Sequence, residues 1–200
     1  MTSVFVAGSI TIKHLDLMVQ NRLMNVIAQD FHVLVGDADG ADSAIQRFLK
    51  DNGARSVTVY CTGETPRNNL GDWPVQTVNT YHPKGTRAFF TAKDIAMADA
   101  AEYGFMVWDA RSTGTLSNVI ELLSRKKSAL VFVNKDKAFH KVASVAGLDV
   151  LLGCMAEASR LKADTKMGLI ERVEALRSRE LAAAIVASRA AASVEVIASA

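Results

Sequence analysis

The chain is poor in the residues that staple or stiffen small proteins. Among its 200 residues are two cysteines, three prolines and four histidines. Cys61 and Cys154 have neither the spacing of a metal site nor that of a disulfide framework. The histidines are scattered along the chain. We therefore expect no metal site and no bound cofactor.

Blocks of like charge and long apolar runs are missing as well. The formal net charge is +2, and Lys126-Lys127, which follows Arg125, is only a pair of lysines. This pattern argues against nucleic acid as the main partner. No apolar run reaches the length of a membrane span, and Lys13, His14 and Asp16 break the start that a signal peptide would need. We expect a cytoplasmic protein that binds neither nucleic acid nor membrane.

Short apolar runs alternate with stretches of helical spacing over the first two thirds of the chain. The runs predict buried strands at 4–7, 32–35, 56–61, 105–108 and 129–133, with helices between them. Strands that alternate with helices are typical of a parallel sheet covered on both faces. The sequence therefore predicts an α/β fold.

Residues 62–86 interrupt this alternation. They contain all three prolines, and 75–78 within them has the pattern of a short strand. A connection of this length is often a lid or binding loop. Its Trp73, Tyr81, His82, Arg67 and Lys84 are suited to stack on a base and to pair with phosphate. The alternative is a solvent loop pinned by a buried tryptophan.

The composition changes after Gly153, where alanine becomes frequent and aromatic residues disappear. Just before this point, 148–152 fits either an edge strand or the start of a helix. Apolar residues between Leu169 and Ile185 fall on one broad helical face. Such a face packs on its own domain or on a second subunit. We predict an α/β domain over 1–152 and a helical extension over 153–200 that makes a homo-oligomer.

The stretch from Tyr103 to Asn118 is the most informative part of the sequence. A buried strand is followed by the polar turn 109–113, and helical spacing begins after Gly114. Free N–H groups and the helix dipole attract anions at such a helix start. Gly114 lets a ligand approach the backbone, and neighbouring hydroxyl groups can bind it. The alternative is an ordinary capped helix start.

Two other strand ends also present glycine with small polar residues. Gly8-Ser9 follows the first strand, and Gly36, Asp37, Gly40 and Asp42 follow the second. In an open parallel sheet, ligands bind outside the carboxyl ends of the strands, so the three loops together indicate a nucleotide or phosphosugar pocket. The acids alternatively serve to cap a helix. Neither the G-x-G-x-x-G fingerprint nor a G-K-[ST] phosphate loop is present.

The loop Gly36-Asp37-Ala38-Asp39-Gly40-Ala41-Asp42 resembles the G-x-x-x-G-x-D loop of the Rossmann-like SLOG superfamily. Lys93 to Met97, Tyr103 to Asp109 and Ser112 to Thr115 resemble the same group, which includes the LOG nucleotide phosphoribohydrolases and DprA-like proteins. The same segments of this chain are also similar to those of the nucleoside 2-deoxyribosyltransferases. The resemblance covers roughly 3–134 and implies a Rossmann-like parallel sheet.

The resemblance also implies a pocket for a nucleotide, a nucleoside or an ADP-ribose derivative, which members either cleave at the N-glycosidic bond or only bind. Both enzyme groups have a glutamate shortly after Gly-Thr, where this chain has Ser117 and Asn118. It also has Arg111-Ser112-Thr113 in place of the double glycine of the LOG enzymes. Without that glutamate a covalent ribosyl intermediate loses support. We expect Arg111 to compensate for the missing double glycine by binding phosphate.

The leading hypothesis is a protein that binds a nucleotide or nucleoside-derived ligand and hydrolyses an N-glycosidic bond weakly, if at all. An active deoxyribosyltransferase or phosphoribohydrolase is the first alternative, and a structural oligomer with a vestigial pocket is the second. The catalytic candidates are Asp94, Asp109 and Asn118, with Asp37 as a further carboxylate. The expected ligand-binding residues are Gly8, Ser9, Gly36, Asp37, Gly40, Asp42, Arg87, Arg111, Ser112, Thr113, Gly114 and Thr115.

Overall fold

The computed structural model describes the backbone of residues 1–198 and the side chains of residues 1–188. The strands are β1 Ser3–Gly8, β2 His32–Gly36, β3 Val57–Thr62, β4 Val75–Val78, β5 Tyr103–Trp108, β6 Ala129–Val133 and β7 Ala138–Val142. The helices are α1 Leu17–Ala28, α2 Ala41–Asp51, α3 Arg87–Ala100, α4 Thr113–Ser124, α5 Val145–Gly153, α6 Glu157–Met167 and α7 Leu169–Ala198. Within the described part, no helix is both long and apolar enough to cross a membrane.

All these strands form one sheet in the order β4-β3-β2-β1-β5-β6-β7. All pairs among β1 to β6 are parallel, and β7 pairs antiparallel with β6 at the edge. This confirms the predicted α/β, Rossmann-like fold. The β7 strand is an addition to the prediction, which had 129–133 as the last clear strand. The segment 148–152 is helical, as one of its two interpretations required.

Two apolar cores lie on opposite faces of the sheet. Alternate residues of β5 show the division, since Phe105 and Val107 join one core while Met106 and Trp108 join the other. Helices α1 and α2 cover the first face, and α3 to α7 cover the second. The sheet is thus covered on both faces, as predicted.

The C-terminal helices share the second core. Ala163, Leu169, Val173 and Leu176 are buried there together with residues of β5 and α4. Gly168 separates α6 from α7 with a φ of 62°, a left-handed conformation that glycine adopts without strain. The core therefore continues across residue 152. Farther along α7, Leu181 and Ile185 are exposed.

Candidate functional site

The order of the strands places a crevice between the carboxyl ends of β1 and β5. The chain leaves β1 through α1 on one face of the sheet, and it leaves β5 through α4 on the other face. Such a reversal is where open α/β sheets bind ligands. The residues that follow the two strands, Ser9 and Asp109, stand at this point.

The loops after β1 and β5 are hydrogen-bonded to each other. The backbone N–H of Asp109 donates to the Ser9 hydroxyl at 3.1 Å, and the Thr11 hydroxyl donates to Asp109 Oδ2 at 2.8 Å. Ser9 Oγ also lies 3.3 Å from Thr115 Oγ1 on α4. The structure thus brings together the predicted site residues Ser9, Asp109 and Thr115.

Asp109 holds the turn that leads into α4. Its Oδ1 accepts hydrogen bonds from the N–H groups of Arg111 at 2.9 Å and Ser112 at 2.7 Å. Burial acts to raise the pKa of Asp109, but these hydrogen bonds and that of Thr11 lower it below its ordinary value. Ala110, between Asp109 and Arg111, is buried at a φ of 60°, which is uncommon for a residue other than glycine. Oδ1 of Asp109 therefore holds the turn, and Oδ2 holds the loop after β1.

The first turn of α4 offers unused donors. Ser112 caps the helix, since its hydroxyl accepts from the N–H of Thr115 at 3.4 Å. The N–H groups of Thr113 and Gly114 take no part in these contacts. A Cβ on Gly114 would meet only Ser112 Oγ, at 3.9 Å, so the space over this turn is open. These N–H groups can bind an anion, and the helix dipole favours one there.

Asn118 lies one helical turn beyond Gly114, on the same side of α4. Only 5% of the residue is exposed, and its carbonyl oxygen is buried without a hydrogen-bond donor in the described part of the chain. A buried acceptor without a partner costs about 1–3 kcal/mol. Such a group calls for an explanation, and a bound ligand or water provides one.

A second group of charges lies beyond β2. Arg67 donates to both oxygens of Asp37, from Nη2 to Oδ1 at 2.7 Å and from Nε to Oδ2 at 3.0 Å. The Lys93 ammonium on α3 lies 3.8 Å from Asp37 and 3.8 Å from Asp42, and 2.9 Å from Asp94. Lys93, Asp37 and Asp42 are buried, whereas 21% of the Asp94 side chain is exposed.

These charges change one another's pKa. Burial alone would lower the pKa of Lys93, but the carboxylates of Asp94 and Asp42 outweigh it and raise the pKa. Burial also acts to raise the pKa of Asp37, yet the hydrogen bonds of Arg67 and the charge of Lys93 hold it below its ordinary value. For Asp42 burial dominates and raises the pKa to about 6. Asp37 is therefore anionic at neutral pH.

The predicted glycines differ in what surrounds them. A Cβ on Gly36 would overlap the Asp42 carboxylate and the Lys93 ammonium, and one on Gly40 would overlap the backbone of Ile10. A Cβ on Gly8 would lie 2.5 Å from the carbonyl oxygen of Val107. These three glycines let the chain pack closely on itself, whereas Gly114 faces open space.

The other residues named in the sequence analysis do not all lie at this centre. Asp39 is exposed and accepts a hydrogen bond from Asn68 Nδ2 at 3.0 Å. Arg111 is exposed, and Arg87 lines a separate cavity beside Ser117. In the proline-containing loop, Trp73 donates from Nε1 to the carbonyl of Ala54 at 3.2 Å. Trp73 is half-buried and packs against the core, and a binding role of the loop stays a prediction.

Lys93 was not among the predicted site residues, and Arg67, which was predicted to pair with phosphate from the loop 62–86, pairs with Asp37. A signal for Lys93 was present in the sequence, because it lies four residues from both Phe89 and Met97 on the buried stripe of α3. A lysine on such a stripe needs anionic partners. Arg67 gave no comparable signal, because its partner Asp37 is distant in sequence.

Comparison of the chain with protein-family models, with curated proteins and with solved structures gives no match. The resemblance to the SLOG superfamily therefore stays a prediction.

Proposed function

We propose that this protein binds a nucleotide or nucleoside-derived ligand beside the start of α4 and turns it over slowly or not at all. The observation that carries the proposal is the open first turn of α4. The unused N–H groups of Thr113 and Gly114 suit a phosphoryl group there. The unpartnered carbonyl oxygen of Asn118, one turn along, suits a sugar hydroxyl as donor.

The state of the carboxylates supports binding rather than catalysis. Cleavage of an N-glycosidic bond develops positive charge on the sugar, which a free carboxylate stabilises. Both oxygens of Asp109 and both of Asp37 are already engaged by donors of the protein. Asn118 carries no charge.

Weak N-glycosidic hydrolysis is the second candidate, and Asp94 favours it. Part of this carboxylate is exposed, and Lys93 fixes it through a 2.9 Å hydrogen bond. Asp94 is therefore the best placed of the predicted carboxylates to face a sugar.

Binding is tested with Gly114→Val, measured by calorimetry with AMP, ADP-ribose and NAD. The valine would fill the open space over the first turn of α4, so we expect weaker binding of the ligand that the native protein takes. Gly153→Val is the matched control, because Gly153 also faces open space, at the end of α5. Native affinity in Gly114→Val, or no binding of any probe by the native protein, would overturn the proposal.

Catalysis is tested with Asn118→Glu, which restores a carboxylate at this helix position. We expect it to raise the release of free base from nucleoside monophosphates, as followed by chromatography, and Asp94→Asn to abolish any residual release by the native protein. Rapid release of free base by the native protein would contradict the proposal that it binds its ligand without turning it over. Release that persists in Asp94→Asn would contradict Asp94 as the catalytic carboxylate.

We also propose that α7 joins a second copy of the chain through the segment that begins at Leu181. The apolar side chains of Leu181, Ile185 and Val186 are exposed there by 63%, 44% and 67%. Nearer the start of the same helix, Leu169, Val173 and Leu176 are buried in the core. The segment 181–186 therefore offers apolar side chains that association would remove from water.

A further inference from the structure

A cavity of about 700 Å³ lies on the helical layer formed by α3, α4 and the junction of α6 with α7. The loop after β4 closes one side of it. Cavities of this size accommodate small organic ligands. Ser117 and Glu121 of α4 line it, but no residue of the turn after β5 that carries the proposed function does.

Cationic side chains from different elements meet in this cavity. Arg87 comes from the start of α3, Lys166 from the end of α6 and Arg172 from α7. Burial lowers the pKa of Arg172, and the positive charge of Arg87 contributes to the lowering against the effect of Glu121. The guanidinium groups of Arg87 and Arg172 thus line the same cavity.

Arg172 is held in place by α4. Its Nη1 donates to the hydroxyl of Ser117 at 2.9 Å, and its Nη2 pairs with Glu121. Ser117 is itself buried, with 6% exposure. The guanidinium is therefore positioned before any ligand arrives, which lowers the cost of binding an anion.

The carboxylates of the cavity are already neutralised. Glu121 pairs with Arg125 as well as with Arg172, and Asp99 pairs with the same Arg125. Three cations of the lining, Arg87, Lys166 and Arg172, therefore face two carboxylates that Arg125 also neutralises from outside the lining. Arg87 makes no side-chain hydrogen bond and no ion pair with the described part of the chain.

Another part of the wall is apolar, while Asn79, Thr80, His82 and Thr91 add polar groups to the lining. The apolar part is formed by side chains of α3, with the end of β4 and the end of α6 beside them: Val78, Ala88, Ala92, Ile95, Ala96 and Met167. Of these, Ile95 is 39% exposed, so its side chain is available to a ligand. One part of the cavity thus suits an anion and another part suits an apolar group.

We propose that this cavity binds a phosphate monoester of an apolar small molecule. The phosphoryl group takes the excess positive charge at Arg87 and Arg172, because guanidinium groups bind phosphoryl oxygens in a bidentate manner. The organic group packs on Ile95 and Met167. The site needs α7, and its occupancy does not depend on the turn after β5.

The experiment is calorimetric titration of the full chain with 1-naphthyl phosphate, compared with 1-naphthol and with inorganic phosphate. We expect 1-naphthyl phosphate to bind more tightly than either part alone. Arg87→Gln should weaken it by about tenfold or more, since one charge-assisted contact is lost. The fold of Arg87→Gln should persist, because the Arg87 side chain has no hydrogen bond or ion pair with the described part of the chain to lose.

Arg179→Gln is the matched control, since Arg179 is an exposed arginine on α7 outside the cavity. We expect this variant and Gly114→Val to retain native affinity for 1-naphthyl phosphate. No binding by the native protein, undiminished binding by Arg87→Gln, or an equal loss in Arg179→Gln would overturn the proposal. An equal loss in Gly114→Val would overturn it as a separate site, whereas the proposed function is tested by the nucleotide titrations alone.

Discussion

Replacing Asp42 by asparagine should change how the stability of the protein depends on pH. Asp42 is fully enclosed by β2, α2 and α3, and the charges that face it are those of Lys93, Asp94 and Asp37. Burial raises its pKa from an ordinary 3.8 to about 6. The folded protein thus binds the proton of this carboxyl more tightly than the unfolded chain does.

The sign and size follow from proton linkage. Between about pH 4 and pH 6 the folded state holds a proton that the unfolded state has released, so the free energy of unfolding falls as the pH rises. A shift of this size corresponds to about 3 kcal/mol, at about 1.4 kcal/mol for each pH unit. Asp42→Asn removes this titration and keeps a side chain of similar volume.

The assay is urea denaturation of the native protein and of Asp42→Asn, from about pH 4 to about pH 8. The free energy of unfolding of the native protein minus that of the variant should fall by about 3 kcal/mol across this range. Asp37→Asn is the internal control with the opposite sign. Because the pKa of Asp37 is lowered from 3.8, the corresponding difference should rise with pH below about pH 4 and stay nearly flat above about pH 5, so the titration of this control is extended down to about pH 3. A flat or rising difference for Asp42→Asn would refute the reasoning.

Three further predictions concern packing within the chain and the association of its copies. Gly36→Val should lower the free energy of unfolding in urea by about 2 kcal/mol or more, because its side chain would displace the buried charges beside β2; native stability would contradict this. Trp108→Phe should cost about 2 kcal/mol in the same assay, since Nε1 of this fully buried residue donates to a backbone carbonyl at 2.9 Å; a loss below about 0.5 kcal/mol would argue against that contact. The double variant Leu181→Lys, Ile185→Lys should halve the mass seen by light scattering while leaving circular dichroism unchanged, and a native protein that is already monomeric would disprove the oligomer.

The strands of the fold were predictable because their apolar runs contrast with the polar turns around them. The strand 129–133 was predicted with the bounds that the structure gives. The strand β7 was missed, because it lies at an edge where the polar residues His140 and Lys141 dilute the apolar pattern. The segment 148–152 was ambiguous by pattern, and the cap of Ser144 on the N–H of Gly147 marks the start of its helix.

The candidate site was predictable only in outline. Glycine and small polar residues after β1, β2 and β5 located it at the carboxyl edge, because parallel strands end there together. The partners of the charges were not predictable, since Arg67 and Lys93 meet Asp37 from loops and helices that pattern alone does not place. The bond between Arg172 and Ser117 joins α7 to α4 and gave no periodic signal at all.

The edges of the sheet determine how copies of this chain can meet. At one edge β4 has only four residues, and Pro74 precedes it without an N–H to offer. At the other edge β7 places the charged Lys141 among its five residues. Short edge strands, proline and lysine all disfavour the addition of a strand from another molecule. Growth of the sheet into a fibril is therefore disfavoured, which leaves the helices as the surface through which the proposed oligomer would form.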